Sequence, residues 1–205
     1  FEAQTGALRW SARLRGAIRG GAASDGTAIY AGSTEGEVVA LELDGTERWR
    51  ILLTRPSYDR TTEVPAQIYA TPTVVDGVLV FGFARDTYYD DPALAAIDCA
   101  TGEVRWLASN PGRLEGGWGN IRSSPAAWGD LLIYGEPYSN CVVAVGVQDG
   151  EVRWSSPVGF PMFPHWPSPA IAGDTIVIPR HDGGLYALNA KTGSPLWSLY
   201  LGDAE

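Results

Sequence analysis

Apolar residues in this chain come in short runs broken by Gly- and Asp-containing turns. The runs include Thr27-Ala-Ile-Tyr-Ala-Gly32, Glu37-Val-Val-Ala-Leu-Glu-Leu43, Val78-Leu-Val-Phe-Gly82 and Ala93-Leu-Ala-Ala-Ile-Asp98. Further along come Leu131-Leu-Ile-Tyr134, Cys141-Val-Val-Ala-Val145, Thr175-Ile-Val-Ile178 and Leu185-Tyr-Ala-Leu188. Runs of this length bounded by turn residues predict strands. Their successive positions are apolar, so both faces of each strand are expected to be covered, as in a sheet sandwiched between two others.

The runs belong to a repeat. Gly6–Trp10, Gly45–Trp49, Gly102–Trp106, Gly150–Trp154 and Gly193–Trp197 share one Gly-x-x-x-Trp spacing, and the tryptophans follow one another at 39, 57, 48 and 43 residues. A four-stranded propeller blade takes about 40–45 residues, so the two larger spacings carry insertions. With strands lettered a to d within each repeat, strand a is expected in Ile18–Gly26, Ile68–Val75, Ile121–Ala127 and Trp166–Ile171. The runs above supply strands b and c, and the Trp lies on strand d. The a–b turns Ser24-Asp-Gly, Val75-Asp-Gly, Trp128-Gly-Asp and Ala172-Gly-Asp suit tight hairpins. The c–d turns place Gly6, Gly45, Gly102, Gly150 and Gly193 at their last position, where a positive φ is expected. Ala40, Ala96, Ala144 and Ala187 form one column in strand c, fitting a close approach of neighbouring sheets. Trp10, Trp49, Trp106, Trp154 and Trp197 are expected to plug the gap between adjacent sheets.

The fold class expected is all-β: a β-propeller of four-stranded antiparallel blades. The blades span 15–53, 66–110, 120–158 and 165–201, after a leading half-blade over 1–14 that supplies only strands c and d. Nothing in the chain supplies that half-blade with strands a and b, so the 205 residues read as an arc of a larger ring whose remaining blades belong to the same polypeptide.

Composition narrows the function. Charged residues make up 19% against 25 Gly and 14 Pro, in keeping with many strands and turns. The net charge of −9, without a basic run, disfavours nucleic acid and anionic membrane surfaces. No stretch is long and apolar enough to span a bilayer, and no targeting segment is visible. Cys99 and Cys141, far apart, are expected as free thiols rather than a disulfide scaffold.

Leu185-Tyr-Ala-Leu-Asn-Ala-Lys-Thr-Gly-Ser-Pro-Leu-Trp197 resembles the repeat of the PQQ-like β-propeller family, whose blades carry a tryptophan docking motif. Ser123-Ser-Pro-Ala126 and Pro167-Ser-Pro-Ala170 resemble its strand-a phrase, Ala70-Thr-Pro72 more loosely, while Gly20-Gly-Ala22 departs from it. The resemblance covers the whole chain and implies one of two classes. One is the non-catalytic docking propellers, such as the lipoprotein of the outer-membrane β-barrel assembly machine, with a protein or peptide partner, no cofactor and an extracytoplasmic, periplasmic location. The other is the quinoprotein dehydrogenases, which use pyrroloquinoline quinone and calcium.

Candidate binding residues lie where the repeats differ. The long d–a connections (Arg55–Gln67, Pro111–Asn120, Val158–His165) and the long b–c connection (Ala84–Pro92) leave a propeller on one face, and the short turns leave on the other. Loops carry function more often than the scaffold. The elaborated face is therefore the expected partner face. Arg19, Tyr69, Arg122 and Trp166 form a column on the innermost strand, placed where the central channel opens onto that face; Trp and Arg are frequent binding anchors. Tyr88, Tyr89 and Trp118 add aromatic surface in the loops, which also leaves a carbohydrate-binding surface as an alternative. Asp86, Asp90 and Asp91 share one loop but lack a ligand-loop pattern with a Gly bend. His165 and His181 have no partner at zinc-site spacing. No catalytic residue and no metal site is expected.

Overall fold

The computed structural model describes residues 1–57, 61–84, 92–109, 121, 123–135, 141–158, 167–180 and 183–202. Those residues form antiparallel sheets without a helix. The first sheet runs in order through β1 (Ala23–Ser24), β2 (Ala28–Gly32), β3 (Glu37–Glu42) and β4 (Glu47–Leu52). A two-stranded hairpin follows, β5 (Thr54–Pro56) with β6 (Glu63–Pro65), inside the connection expected to be a loop. The second sheet contains β7 (Gln67–Ile68), β8 (Thr73–Val75), β9 (Val78–Ala84), β10 (Pro92–Asp98) and β11 (Val104–Ser109); β7 and β8 both pair with β9. The third sheet is β12 (Ala126–Trp128), β13 (Leu131–Gly135), β14 (Cys141–Gly146) and β15 (Val152–Pro157). The fourth is β16 (Ala170–Ala172), β17 (Thr175–Pro179), β18 (Gly184–Asn189) and β19 (Pro195–Tyr200).

Three cores lie between consecutive sheets, and strand alternation divides each middle sheet between two of them. Tyr30, Val38, Ala40 and Trp49 of the first sheet meet Leu79, Phe81, Ala95 and Ile97 of the second. The opposite face of the second sheet, with Val80, Leu94 and Ala96, meets Leu132, Tyr134, Val143 and Val145 of the third. Leu131, Ile133, Val142 and Ala144 then meet Ile176, Ile178 and Leu188 of the fourth. This is the double-sided burial that the continuous apolar runs predict.

The tryptophans seal these cores. Nε1 of Trp10, Trp49, Trp106 and Trp154 donates to the carbonyls of Leu43 (3.0 Å), Cys99 (2.9 Å), Val147 (3.0 Å) and Ala190 (3.1 Å), each in the c–d turn of the following sheet. The turn glycine is the seat of the ring. A Cβ on Gly150 would stand 2.6 Å from Cε3 of Trp106, and one on Gly193 2.5 Å from Cε3 of Trp154. Gly45 and Gly102 meet Trp10 and Trp49 in the same way. Gly150 thus combines a φ of 69° with a contact that no side chain permits. The alanine column has a definite role too. Ala40, Ala96 and Ala144 face Trp49, Trp106 and Trp154 across the ladder, each just before a register shift that bends the strand. The small side chain leaves room for the indole of its own sheet.

Two positions differ from the interior repeats. Residues 1–14 form no ladder strand, because no neighbouring strand pairs with them. Only the turn forms, with Glu2 N donating to Ala7 O and Gly6 N to Glu2 O, both at 2.8 Å. The segment that follows is tied to the first sheet: Arg15 N donates to Glu37 Oε2 at 2.6 Å and Thr34 N to Ala17 O at 2.9 Å. Trp197 is 48% exposed on the fourth sheet.

Candidate functional site

The innermost strands are shorter than expected, and the reason bears on the channel mouth. Pro72, Pro125 and Pro169 have no amide hydrogen to give a ladder, and β8, β12 and β16 begin only after them. The residue before each proline turns to the neighbouring sheet instead. Thr71 N donates to Ser124 Oγ at 3.0 Å and Ser124 N to Ser168 Oγ at 2.9 Å. Gly21 N, in the repeat that lacks the Ser-Pro phrase, donates to Thr71 Oγ1 at 2.7 Å. The hydroxyl of Thr73 also donates to the Pro125 carbonyl. A belt of amide-to-hydroxyl bonds therefore ties the four inner strands together. Gly20 lies against the backbone of Ala70 and Thr71 more closely than a Cβ would allow.

Each residue of the Arg19, Tyr69, Arg122, Trp166 column stands two positions before a member of this belt. Arg19 is exposed; Tyr69 is half-buried and its hydroxyl donates to Gln67 Oε1 at 3.4 Å. Arg122 and Trp166 lie outside the described residues. So do Tyr88, Tyr89, Trp118, Asp86, Asp90, Asp91, His165 and His181. Arg19 and Tyr69 each precede a residue of one close backbone approach between the first two repeats, that of Gly20 to Ala70.

The described part of the elaborated face is built around the b–c turn of the first sheet. Leu53 N donates to Gly36 O (2.8 Å), Ala66 N to Leu53 O (2.9 Å) and Ile68 N to Ser33 O (3.2 Å), so the d–a connection folds back onto that turn. The β5–β6 hairpin is held there. Two arginines that sequence reading did not single out are buried at this end of the sheets. Arg55 is 8% exposed and its Nη1 donates to Pro56 O at 3.3 Å; Arg180 is 7% exposed and stands 5.7 Å from the centroid of the Tyr186 ring. Neither stands in a repeating pattern, so the sequence carries no signal for them.

Charges elsewhere are fixed in place. The arginines before Trp49, Trp106 and Trp154 each pair with an acid at the c–d turn of their own sheet: Arg48 with Glu42 (2.7 Å), Arg105 with Asp98 (2.5 Å) and Arg153 with Asp149 (2.6 Å). The Arg105 guanidinium, with the amides of Thr101 and Ala100, brings Asp98 down to about 2. Burial pushes Glu37 up, but the Arg15 amide and Arg50, 2.7 Å away, outweigh it and hold the carboxyl below its ordinary range. Burial likewise acts on Asp25, and the Ala28 amide, the Tyr30 hydroxyl and Thr27 overcome it, so its pKa is lowered. Burial and that carboxylate push the Tyr30 phenol well above its ordinary value. Every described carboxyl group with a shifted pKa is held below its ordinary range. Cys99 and Cys141 are free thiols, Cys99 buried. Among the described residues no group of three or more His, Cys, Asp or Glu side chains is placed to share a metal ion.

Known proteins share this architecture. Outer membrane protein assembly factor BamB of Burkholderia pseudomallei is 26% identical over 208 residues, covering 96% of this chain and 49% of that protein. Among solved structures, BamB from Moraxella catarrhalis superposes with a TM-score of 0.67 at 20% identity, covering 97% of this chain and 54% of that one. Quinohemoprotein alcohol dehydrogenase from Comamonas testosteroni gives a TM-score of 0.66 at 18% identity, covering 88% of this chain and 35% of that one. At these identities the two structures establish the β-propeller fold alone. The chain spans about half the length of its BamB relatives. A family model described as outer membrane protein assembly factor BamB matches residues 1–162. The chain therefore belongs to this BamB-like family of PQQ-type repeats.

Proposed function

We propose that this chain is a non-catalytic docking scaffold, an arc of a β-propeller ring that binds a protein or peptide partner on the face bearing the long d–a and b–c connections. One observation carries the reading. The chemistry that recurs in the repeats is consumed inside the scaffold: the indoles on the glycine turns, the arginines on the turn acids, and the Ser/Thr hydroxyls on neighbouring amides. Partner recognition is left to what does not recur, which is the long connections and the Arg19, Tyr69, Arg122, Trp166 column. The name of the related assembly factor supports a protein partner at the outer membrane, and with it an extracytoplasmic location.

Binding of the chain to purified outer-membrane assembly proteins tests this. Arg122→Ala and Trp166→Ala should each weaken binding by ~10-fold or more with the fold unchanged, as loss of an anchor residue does. Wild-type chain that fails to bind, or variants that bind equally well, would reject the reading. The dehydrogenase alternative shares only the fold. Turnover of alcohols or sugars by the chain supplied with pyrroloquinoline quinone, calcium and a dye acceptor would replace the docking reading with it.

A further inference from the structure

The described arginines divide by how their charge is met. Arg15, Arg48, Arg50, Arg105 and Arg153 each stand within ion-pair distance of a carboxylate. Arg9, Arg13 and Arg19 are exposed to water, and Arg180 stands over the Tyr186 ring. Arg55 has none of these among the described residues, although it is 8% exposed. Its Nη1 donates to Pro56 O at 3.3 Å, the one hydrogen bond of the side chain. Nε is buried without an acceptor. Nη2 shares an edge of the guanidinium with Nε; it too has no acceptor, but it is not sealed from solvent. The edge with two parallel N–H donors, which grips a carboxylate side-on, is therefore unused. A charge buried in this way costs stability unless it is paired. The described acids nearby do not pair with it. Glu37 is held by Arg50 at 2.7 Å and by the Arg15 amide. Across the hairpin Arg55 faces Val64, so Glu63, which is exposed, points to the opposite face.

We infer that Arg55 receives a carboxylate, supplied by an acidic side chain of the protein that docks on the elaborated face. The inference rests on the docking reading and gives the chemistry of one contact within it. One carboxylate oxygen accepts from Nη2 and the other from Nε, the bidentate geometry that a guanidinium offers and an ammonium does not. The group is held ready for it. The β5–β6 hairpin that carries Arg55 is tied to the b–c turn by Leu53 N to Gly36 O and closed by Ala66 N to Leu53 O, so little ordering is left for binding. The net charge of −9 without a basic run points to a single acid on the partner and not to a polyanion, which the rest of the surface would repel.

Titration of the nitrogen-15-labelled chain with sodium acetate, against sodium chloride at equal ionic strength, tests the inference without a partner. The Arg55 Nε–H signal, assigned by its loss in Arg55→Met, should move with acetate and stay in place with chloride. Arg55→Met should keep the wild-type circular dichroism and unfold at the same urea concentration or a higher one, because it removes an unpaired buried charge. In binding to outer-membrane assembly proteins, Arg55→Met should weaken affinity by ~30-fold or more and Arg55→Lys by ~10-fold, since lysine keeps the charge and loses the fork. A signal that acetate does not move overturns the carboxylate site and leaves the docking reading standing. A chain that responds to acetate but binds no assembly protein overturns the docked protein as the source of the carboxylate. Equal binding by Arg55→Met overturns the contact. A lowered urea midpoint in Arg55→Met also overturns it, and assigns the guanidinium to holding the hairpin.

Discussion

Replacing Trp49 by alanine probes the joint between sheets where it is most buried. Trp49 is 9% exposed, packs in the core between the first and second sheets, and lies 6.1 Å from the Tyr30 ring. The substitution removes an indole from a close-packed site and empties the seat on Gly102. It also takes the 2.9 Å donor away from the Cys99 carbonyl, whose other contact is the Tyr30 hydroxyl at 3.5 Å. Truncating a buried aromatic costs about 3–5 kcal/mol, and one lost hydrogen bond accounts for about 1 kcal/mol of that. For a chain of this size the loss lowers Tm by about 10 °C. Trp154, half-buried, should lose less, about 2–4 kcal/mol. Trp197, 48% exposed, should lose about 1 kcal/mol or less. Urea unfolding followed by far-ultraviolet circular dichroism measures all three without relying on tryptophan fluorescence. A Trp49 variant no less stable than the Trp197 variant would refute the joint as the source of cohesion between sheets.

Other consequences follow from named contacts. Gly150→Ala should cost more than Gly77→Ala in the same unfolding assay. Both sites have positive φ, 69° and 72°, but only Gly150 supports a ring, so Gly77 reports the backbone cost alone, about 1 kcal/mol. Ser124→Ala should lose about 1 kcal/mol by leaving the Thr71 amide without its acceptor, and amide exchange at Thr71 should accelerate. Asp98 falls from 3.8 to about 2 on folding, so its contribution is complete above 3.8 and disappears as pH drops toward 2. Its partial exposure limits that contribution to about 1–2 kcal/mol, and Asp98→Asn should flatten the acid limb of the stability–pH curve. An unchanged limb would mean that Arg105 does not hold the carboxylate in solution.

Much of the fold can be read from spacing. Gly-x-x-x-Trp marks the c–d turn and d strand of all four sheets, and the apolar runs mark β2, β3, β9, β10, β13, β14, β17 and β18. These are strands whose hydrogen-bond partners lie next in sequence, so local pattern and tertiary structure agree. The inner strands are harder to read, because Thr71 and Ser124 satisfy their amides across sheets rather than within one. A β-pattern in sequence does not distinguish the two. The turn glycines illustrate a second limit: Gly102 and Gly150 announce positive φ, but the ring that each supports belongs to the preceding repeat. Trp128, outside the Gly-x-x-x-Trp series, also docks, its Nε1 donating to Gly173 O at 3.0 Å. Candidate binding residues are legible only as a column of unlike side chains. Arg55 and Arg180 give no such sign, because neither stands in a repeating pattern, yet both are buried.

Which face meets the partner is open to one direct measurement. A photo-crosslinking residue is placed at Tyr69, on the side of the long connections, or at Asp76, in an a–b turn on the opposite side, and the chain is irradiated in complex with outer-membrane assembly proteins. Docking on the elaborated face predicts adducts from position 69 and none from position 76. Adducts from position 76 alone would contradict it.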